Sequence, residues 1–130
     1  LADFGVPNEF RSARRVKKGP WYGDDEDDYD GRSCRRLEDC VTELGAQGLE
    51  LDATLLAWGT DLMLANGSWS NASAIGYKRG AKVKDAFQLR LNAYRVLLTR
   101  GRDACVVFVP MLEALRETHE FLSGAGFKSL

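Results

Sequence analysis

Two continuous apolar segments stand out from the mixture of hydrophobic and polar positions along the chain. Residues 53–58 (ATLLAW) and 105–109 (CVVFV) contain almost no polar side chain, and both have the length of a strand. Short apolar runs of this kind are typical of buried strands in parallel sheets. Between them, residues 82–99 repeat apolar side chains with the period of an amphipathic helix. The apolar positions of this face are Phe87, Leu91, Tyr94 and Leu98.

Weaker signals predict the elements around this strand–helix–strand unit. The dipeptide Asn66-Gly67 lies between apolar residues and predicts a β-hairpin turn. Residues 40–43 are predicted to form a short strand, and Gly101 is predicted to end the central helix. Residues 111–122 predict a last helix. Its expected buried face consists of Leu112, Leu115, Thr118 and Leu122.

The order of these elements predicts an α/β fold. Two apolar strands separated by a helix indicate a mostly parallel sheet flanked by helices, with both strands buried on both faces. We expect residues 1–36 to form a poorly ordered segment, and residues 37–130 to form the folded domain. Within the first segment, residues 12–18 predict a short basic helix, and the acidic run 24–30 predicts a solvated loop.

Composition and charge narrow the possible functions. The chain has 130 residues, of which 45% are hydrophobic and 28% are charged, and its net charge is -1. These values fit one globular domain and exclude collagen and coiled-coil classes. Residues 78–102 nevertheless carry eight basic side chains and one acidic one, which favours local binding of a polyanion.

The same inventory argues against three other classes. Three cysteines and one histidine supply neither a disulfide framework nor a conventional zinc site, so we expect no metal ligands. The sequence has no apolar run of about 20 residues, so we expect no membrane span. Without a secretory signal, reduced thiols predict a cytoplasmic location. The first residue is Leu1, which favours a fragment or a processed product.

The segment 47–52 (QGLELD) is the first candidate for chemistry. It lies between two predicted strands, and ligands of parallel sheets gather at the carboxyl ends of strands. Gly48 lets the backbone approach a phosphate, and Gln47 and Glu50 offer polar groups to a ribose or to water. A plain helix start, with the glycine for the turn and two leucines for the core, explains the same residues. Both interpretations stay open from the spacing alone.

The segment 94–102 (YRVLLTRGR) is the second candidate. Arg95 and Arg102 share one helical face if the helix continues that far, and Arg100 lies near its end. A guanidinium at this place can bind a phosphate and neutralise charge that develops in a transition state. Arginines are also favoured at helix carboxyl termini by the helix dipole, so a structural role stays open.

Taken together, the two segments resemble motifs V and VI of superfamily 1 helicases. The sequence is most similar to the Schlafen-type (group 3) DNA/RNA helicase family. That family has a stretch similar to TELGAQGLELD, an apolar strand with a tryptophan, a Gly/Trp hairpin, a helix similar to LNAYRVLLTRGR and a strand like CVVFVP. All five occur here in that order, and SARRVKKGPW also looks like an upstream stretch of the family. The resemblance covers about residues 12–125 and implies the second RecA-like domain of a helicase.

The resemblance implies a role for several positions. Arg100 matches the arginine finger, a catalytic residue that contacts the γ-phosphate of ATP. Gln47, Gly48 and Glu50 match positions that contact the nucleotide, and Arg95 and Arg102 flank the finger. Thr42 matches a position near the nucleic-acid backbone. Two further sets of residues are nucleic-acid candidates because of their side chains. Trp69 can stack on a base. Basic side chains can contact phosphates, or can equally form a solvated start of the helix: Lys78, Arg79, Lys82 and Lys84.

The sequence also departs from a complete helicase. It has no GxxxxGK[ST] loop and no recognisable acidic magnesium-binding motif. We therefore expect ATP and Mg²⁺ to be cofactors of a full-length parent, with no cofactor and no ATP hydrolysis in this chain alone. The implied partners are single-stranded DNA or RNA and an N-terminal RecA-like half of the same parent. A homodimer of the isolated fragment is compatible with an exposed cleft. A non-catalytic, degenerate helicase module that binds nucleic acid or protein is the alternative.

Overall fold

The computed structural model describes residues 16–23, 33–37, 39–74 and 84–130. The chain divides into two compact units, Leu1–Leu49 and Glu50–Leu130. The acidic run 24–30 and the basic residues Lys78, Arg79 and Lys82 lie outside the described residues, as does most of the predicted helix 12–18. The predicted domain boundary between residues 36 and 37 stays a prediction.

The first unit contains short helical elements and turns. Helix α1 covers Lys18–Gly23, and a single 3-10 turn covers Cys34–Arg36. The strand predicted at residues 40–43 is wrong, because this segment enters a turn. The amide of Ala46 donates to the carbonyl of Thr42 (3.0 Å), and the amide of Gly45 donates to the Thr42 hydroxyl (3.3 Å). The threonine hydroxyl thus forms a hydrogen bond with a backbone amide in a turn, in place of the backbone pairing that a strand requires.

The second unit contains the parallel sheet that the sequence predicts. Strand β1 (Leu51–Ala57) pairs in parallel with β4 (Gly101–Phe108), and residues 54–57 are in register with residues 105–108. The α/β prediction is therefore confirmed: a parallel two-stranded sheet flanked by helices, compatible with a fragment of a RecA-like domain. The expected burial on both faces is wrong. Leu55 is 63% exposed and Phe108 is 59% exposed, so one face of these two strands remains open.

Helix α2 (Ala86–Leu98) is shorter than the predicted 82–99. Asp85 caps its start, because the carboxylate accepts a hydrogen bond from the Gln88 amide (2.8 Å). The hydroxyl of Thr99 donates to the carbonyls of Arg95 and Val96 and closes its end. Gly101 is therefore the first residue of β4 and does not end the helix. The predicted apolar face is confirmed, since Tyr94 is buried and the other three residues pack against the core.

The hairpin is confirmed, and the last helix starts later than predicted. Strands β2 (Met63–Ala65) and β3 (Ser68–Ser70) pair in antiparallel fashion around a turn in which Asn66 and Gly67 both have positive φ. Helix α3 covers Arg116–Gly124 and follows a 3-10 turn at Glu113–Leu115. Leu112 precedes both and is 39% exposed, so the predicted buried face holds only for Leu115, Thr118 and Leu122.

Helix α3 and the hairpin are joined by side-chain hydrogen bonds. The Leu64 amide donates to the hydroxyl of Thr118 (2.9 Å), and the Gly67 amide donates to a carboxylate oxygen of Glu117 (3.3 Å). Thr118 is fully buried, so its hydrogen bond satisfies a polar group that burial would otherwise penalise. These contacts fix the hairpin to one side of the helix.

The core of the second unit gathers where β1 ends. It consists of Trp58, Leu62, Tyr94, Leu115 and Leu122. The indole of Trp58 donates to the Leu62 carbonyl (2.8 Å), and its ring lies 4.3 Å from that of Tyr94. Among the described residues, no helix has the length and apolar character that crossing a membrane requires.

Candidate functional site

The two candidate segments lead into neighbouring strands. Glu50 directly precedes β1 and Arg100 directly precedes β4, and the strand partners Leu51 and Gly101 follow them. The amide of Leu51 donates to the carbonyl of Arg100 (3.4 Å). The structure thus places Glu50 and Arg100 at the same end of the sheet.

This end is the amino end of both strands, which corrects the sequence analysis. The segment 47–52 was expected at the carboxyl end of a strand, on the assumption that residues 40–43 form one. Since those residues form no strand, the segment only leads into β1. The rule that ligands gather at carboxyl ends therefore does not support this site, and its chemistry has to follow from its own residues.

Arg100 occupies the short connection between α2 and β4. Its amide donates to the carbonyl of Leu97 (3.3 Å), and its carbonyl accepts from Leu51. The side chain is half-buried. Because the helix closes at Thr99 and the strand begins at Gly101, the backbone of Arg100 is held from both sides. A guanidinium at this position can bind a phosphate.

A bulge follows Arg100 in β4. Leu51 pairs with Gly101 but Ala53 pairs with Ala104, so β4 has one more residue than β1 in this stretch. At Gly101, a Cβ would lie 2.0 Å from the carbonyl oxygen of Ala104. Only glycine fits this close backbone approach. The bulge leaves Arg102 and Asp103 both exposed.

Arg102 lies in the bulge, so the predicted helical face shared with Arg95 does not exist. Arg95 belongs to the last turn of α2 and is exposed, whereas Arg102 belongs to β4. The Nη2 atom of Arg102 lies 2.6 Å from Oδ1 of Asp52 and 3.3 Å from Oδ2 of Asp103. The hydrogen bond to Asp103 and the nearby charge of Asp52 raise the pKa of Arg102, which stays fully protonated.

The remaining nucleotide candidates and one nucleic-acid candidate belong to the first unit. Gln47 and Thr42 are both exposed. Gly48 has φ +81°, a conformation that residues with a side chain rarely adopt, so glycine is required there. The Thr42 hydroxyl accepts the Gly45 amide and thereby stabilises the turn before Gln47.

Trp69 lies in β3 at the edge of the core. Its ring centroid is 5.9 Å from that of Trp58 and 5.4 Å, edge-on, from that of Phe121. The side chain is half-buried. One part of the ring therefore belongs to the packing of the second unit, and the rest stays accessible. Lys78 and Arg79, the other nucleic-acid candidates, lie outside the described residues, whereas Lys84 is described and exposed.

A polar cluster that the sequence analysis missed lies beyond the carboxyl end of β1. Asp61 forms an ion pair with Arg90 and accepts a hydrogen bond from the Tyr94 hydroxyl (2.7 Å), which in turn accepts the Gly59 amide (3.2 Å). Burial, followed by the charge of Asp61, raises the pKa of Tyr94. One residue in the sequence could have indicated this cluster. Arg90 lies one turn before Tyr94, beside the apolar face of α2, and a charge in such a place needs a partner of opposite charge.

The described residues offer cations for phosphate but no obvious magnesium site. Arg95, Arg100 and Arg102 lie close together in the sequence at the end of α2 and the start of β4. Across the described part of the chain, no group of three or more His, Cys, Asp or Glu side chains is placed to hold a metal ion. Guanidinium groups like those of these three arginines can bind phosphate.

Comparison with known proteins identifies the family. The family model described as "Schlafen group 3, DNA/RNA helicase domain" matches residues 5–111, which is most of the chain and includes both candidate segments. Comparisons with curated proteins and with solved structures give no match. Together with the parallel sheet and the placement of residues 50 and 100, this match shows that the chain belongs to the Schlafen group 3 DNA/RNA helicase domain family.

Proposed function

We propose that this chain is the C-terminal RecA-like domain of a superfamily 1, nucleic-acid-dependent ATPase or helicase. It supplies the arginine finger and part of the nucleic-acid surface, and an N-terminal half of the same parent completes the ATP site. The observation that carries the proposal is the hydrogen bond between Leu51 and Arg100. It joins the ends of the two segments that resemble motifs V and VI, in a chain of a helicase domain family.

Arg100 is the catalytic residue of this proposal. In phosphoryl transfer the protein mainly positions groups and stabilises charge, and an arginine finger contributes about 10³–10⁵-fold to kcat. The guanidinium of Arg100 binds the γ-phosphate when the two halves close on ATP. The backbone contacts on both sides of Arg100 support this role, because they restrict where the guanidinium can lie.

Further residues of the proposed site follow from the family resemblance. Gln47, Gly48 and Glu50 contact the nucleotide and link it to β1, while Arg95 and Arg102 flank the finger. The required glycine conformation at residue 48 supports this assignment, because it leaves a backbone amide without a Cβ beside it. ATP and Mg²⁺ belong to the complete enzyme, with the P-loop and the metal ligands in the other half.

Single-stranded DNA or RNA is the proposed nucleic-acid partner. Thr42, Lys78 and Arg79 contact its phosphates, and the accessible part of Trp69 stacks on a base. The excess of basic side chains in residues 78–102 supports phosphate binding. The half-buried state of Trp69 supports stacking, because core contacts hold the ring rigid while part of it stays accessible.

The test is ATP hydrolysis by the full-length parent, with and without single-stranded DNA or RNA, for the wild type and for Arg100→Ala. The proposal predicts hydrolysis that nucleic acid stimulates and that falls by about 10³-fold or more in the variant. Arg116→Ala is the matched control. Arg116 is an exposed arginine of α3 that pairs with two glutamates, and its loss should leave hydrolysis unchanged.

Three results contradict the proposal. A parent that does not hydrolyse ATP, with or without nucleic acid, supports the non-catalytic module. An Arg100→Ala parent that hydrolyses ATP within about 10-fold of the wild type removes the arginine-finger assignment. Equal losses in Arg100→Ala and Arg116→Ala indicate a general effect of removing an arginine, and they count against the proposal as well.

A further inference from the structure

Asp52 is an exposed carboxylate of β1 that belongs to neither the core nor the expected contacts of a nucleotide. We propose that Asp52 is a positioning residue: through Arg102 it holds the amino ends of β1 and β4 together and so sets Arg100 relative to Glu50. This inference rests on the proposed function, since it concerns the placement of the arginine finger.

The geometry is a bridge between strands. The guanidinium of Arg102 contacts Asp52 on β1 at 2.6 Å through Nη2, and contacts Asp103 on its own strand at 3.3 Å through both Nη2 and Nε. One cation thus joins carboxylates from both strands. Asp103 holds the guanidinium from the β4 side and Asp52 holds it from the β1 side, so Asp52 makes the contact that crosses the sheet.

The backbone pairing between β1 and β4 is irregular at this end of the sheet. The hydrogen bond between Leu51 and Arg100 is long (3.4 Å), and the regular register begins only at Ala53 and Ala104. The bulge between these points adds a residue to β4 without a partner on β1. The bridge through Arg102 spans this interval. Its loss therefore frees the segment that carries Arg100 more than any other part of the sheet.

The exposure of the bridge separates positioning from stability. The side chains of Arg102 and Asp52 are 74% and 80% exposed. Ion pairs this exposed add little to the stability of a fold. Breaking the bridge is therefore expected to change hydrolysis without unfolding the domain. The competing role for Arg102 is direct contact with phosphate, in which case Asp52 contributes nothing to hydrolysis.

The experiment measures kcat and KM for ATP in the full-length parent carrying Asp52→Asn. The substitution keeps the shape of the side chain and removes its charge. We expect kcat to fall by about 10-fold through misplacement of Arg100, with KM unchanged and the unfolding temperature within about 2 °C of the wild type. Glu113→Gln is the matched control, because Glu113 also pairs with an exposed arginine, Arg116 on α3. This control should retain the wild-type kcat.

A charge exchange distinguishes the two roles of Arg102. In the double variant Asp52→Arg/Arg102→Asp the bridge is rebuilt in reverse, and an arginine at position 52 also faces Asp103. We expect its kcat to recover to within about 3-fold of the wild type, whereas Arg102→Ala alone stays low. The inference is overturned if Asp52→Asn hydrolyses ATP like the wild type, or if the exchange restores nothing. If Arg100→Ala has no effect, the proposed function itself has failed.

Discussion

The two ends of the parallel sheet differ in how they use their polar groups. At the carboxyl end, β1 runs into Trp58 and Leu62, which are 2% and 1% exposed, and the charges of Asp61 and Arg90 pair close to that core. At the amino end, Glu50, Asp52 and Arg102 are all exposed. The same two strands thus end in packed aromatic side chains on one side and in accessible charges on the other.

This difference separates stability from chemistry. Buried aromatic contacts and a largely desolvated ion pair stabilise the fold. Exposed charges contribute little to folding and stay accessible from solvent. We therefore infer that contacts at the carboxyl end stabilise the packing of β1 against α2. The proposed chemistry on ATP takes place at the amino end.

Trp58→Ala should have the largest effect on stability. The side chain is nearly fully buried, and its loss leaves a cavity beside Tyr94, so we expect a decrease of about 3–5 kcal/mol in the free energy of unfolding. Urea denaturation of the chain measures it. Phe108→Ala, at a 59% exposed aromatic on β4, is the control and should change stability far less. Equal losses at both positions would mean that the carboxyl-end core does not dominate folding.

Asp61→Asn should have the next largest effect. It removes the charge that pairs with Arg90, whose side chain is only 11% exposed, so we expect a loss of about 2 kcal/mol. This loss of stability is smaller than that expected for a fully buried ion pair, because Asp61 is 27% exposed and water screens its charge. Asp52→Asn applies the same change at the amino end, where we expect almost no change in the unfolding temperature. If the two variants unfold alike, the proposed difference between the ends does not exist.

Tyr94→Phe should have the smallest effect near neutral pH and a distinct one in alkali. Burial raises the pKa of Tyr94 above its ordinary value of about 10, so its contribution to stability is complete below pH 10 and is lost as pH rises further. The free energy of unfolding of the wild type should therefore fall more steeply above pH 10 than that of the variant. Urea denaturation at pH 8, 10 and 11 gives the two slopes. Parallel slopes contradict the assignment.

The local pattern of the sequence predicted most elements of the second unit. The apolar runs gave β1 and the later part of β4, the spacing of Phe87, Leu91 and Tyr94 gave the buried face of α2, and Asn66-Gly67 gave the hairpin turn. The predicted ends of α2 were wrong because side-chain hydrogen bonds determine where this helix begins and ends. Asp85 caps α2 three residues after the predicted start at residue 82, and Thr99 closes the helix before Gly101.

The candidate site depended on information that local pattern does not contain. The sequence places Glu50 and Arg100 far apart, and only the parallel pairing of β1 with β4 brings them to one end of the sheet. The expected shared face of Arg95 and Arg102 failed because a bulge, which needs Gly101, follows the helix end. The ion pair of Asp61 with Arg90 joins residues 29 positions apart, so no local spacing reveals it.

The most direct test compares one substitution from each end in the same assay. We would measure nucleic-acid-stimulated ATP hydrolysis by the full-length parent with Arg100→Ala and with Asp61→Asn, at a temperature where both remain folded. We expect Arg100→Ala to lose about 10³-fold or more of kcat, while Asp61→Asn stays within a few-fold of the wild type. Comparable losses in both variants, or a near-normal Arg100→Ala, would contradict the assignment of the chemistry to the amino end of the sheet.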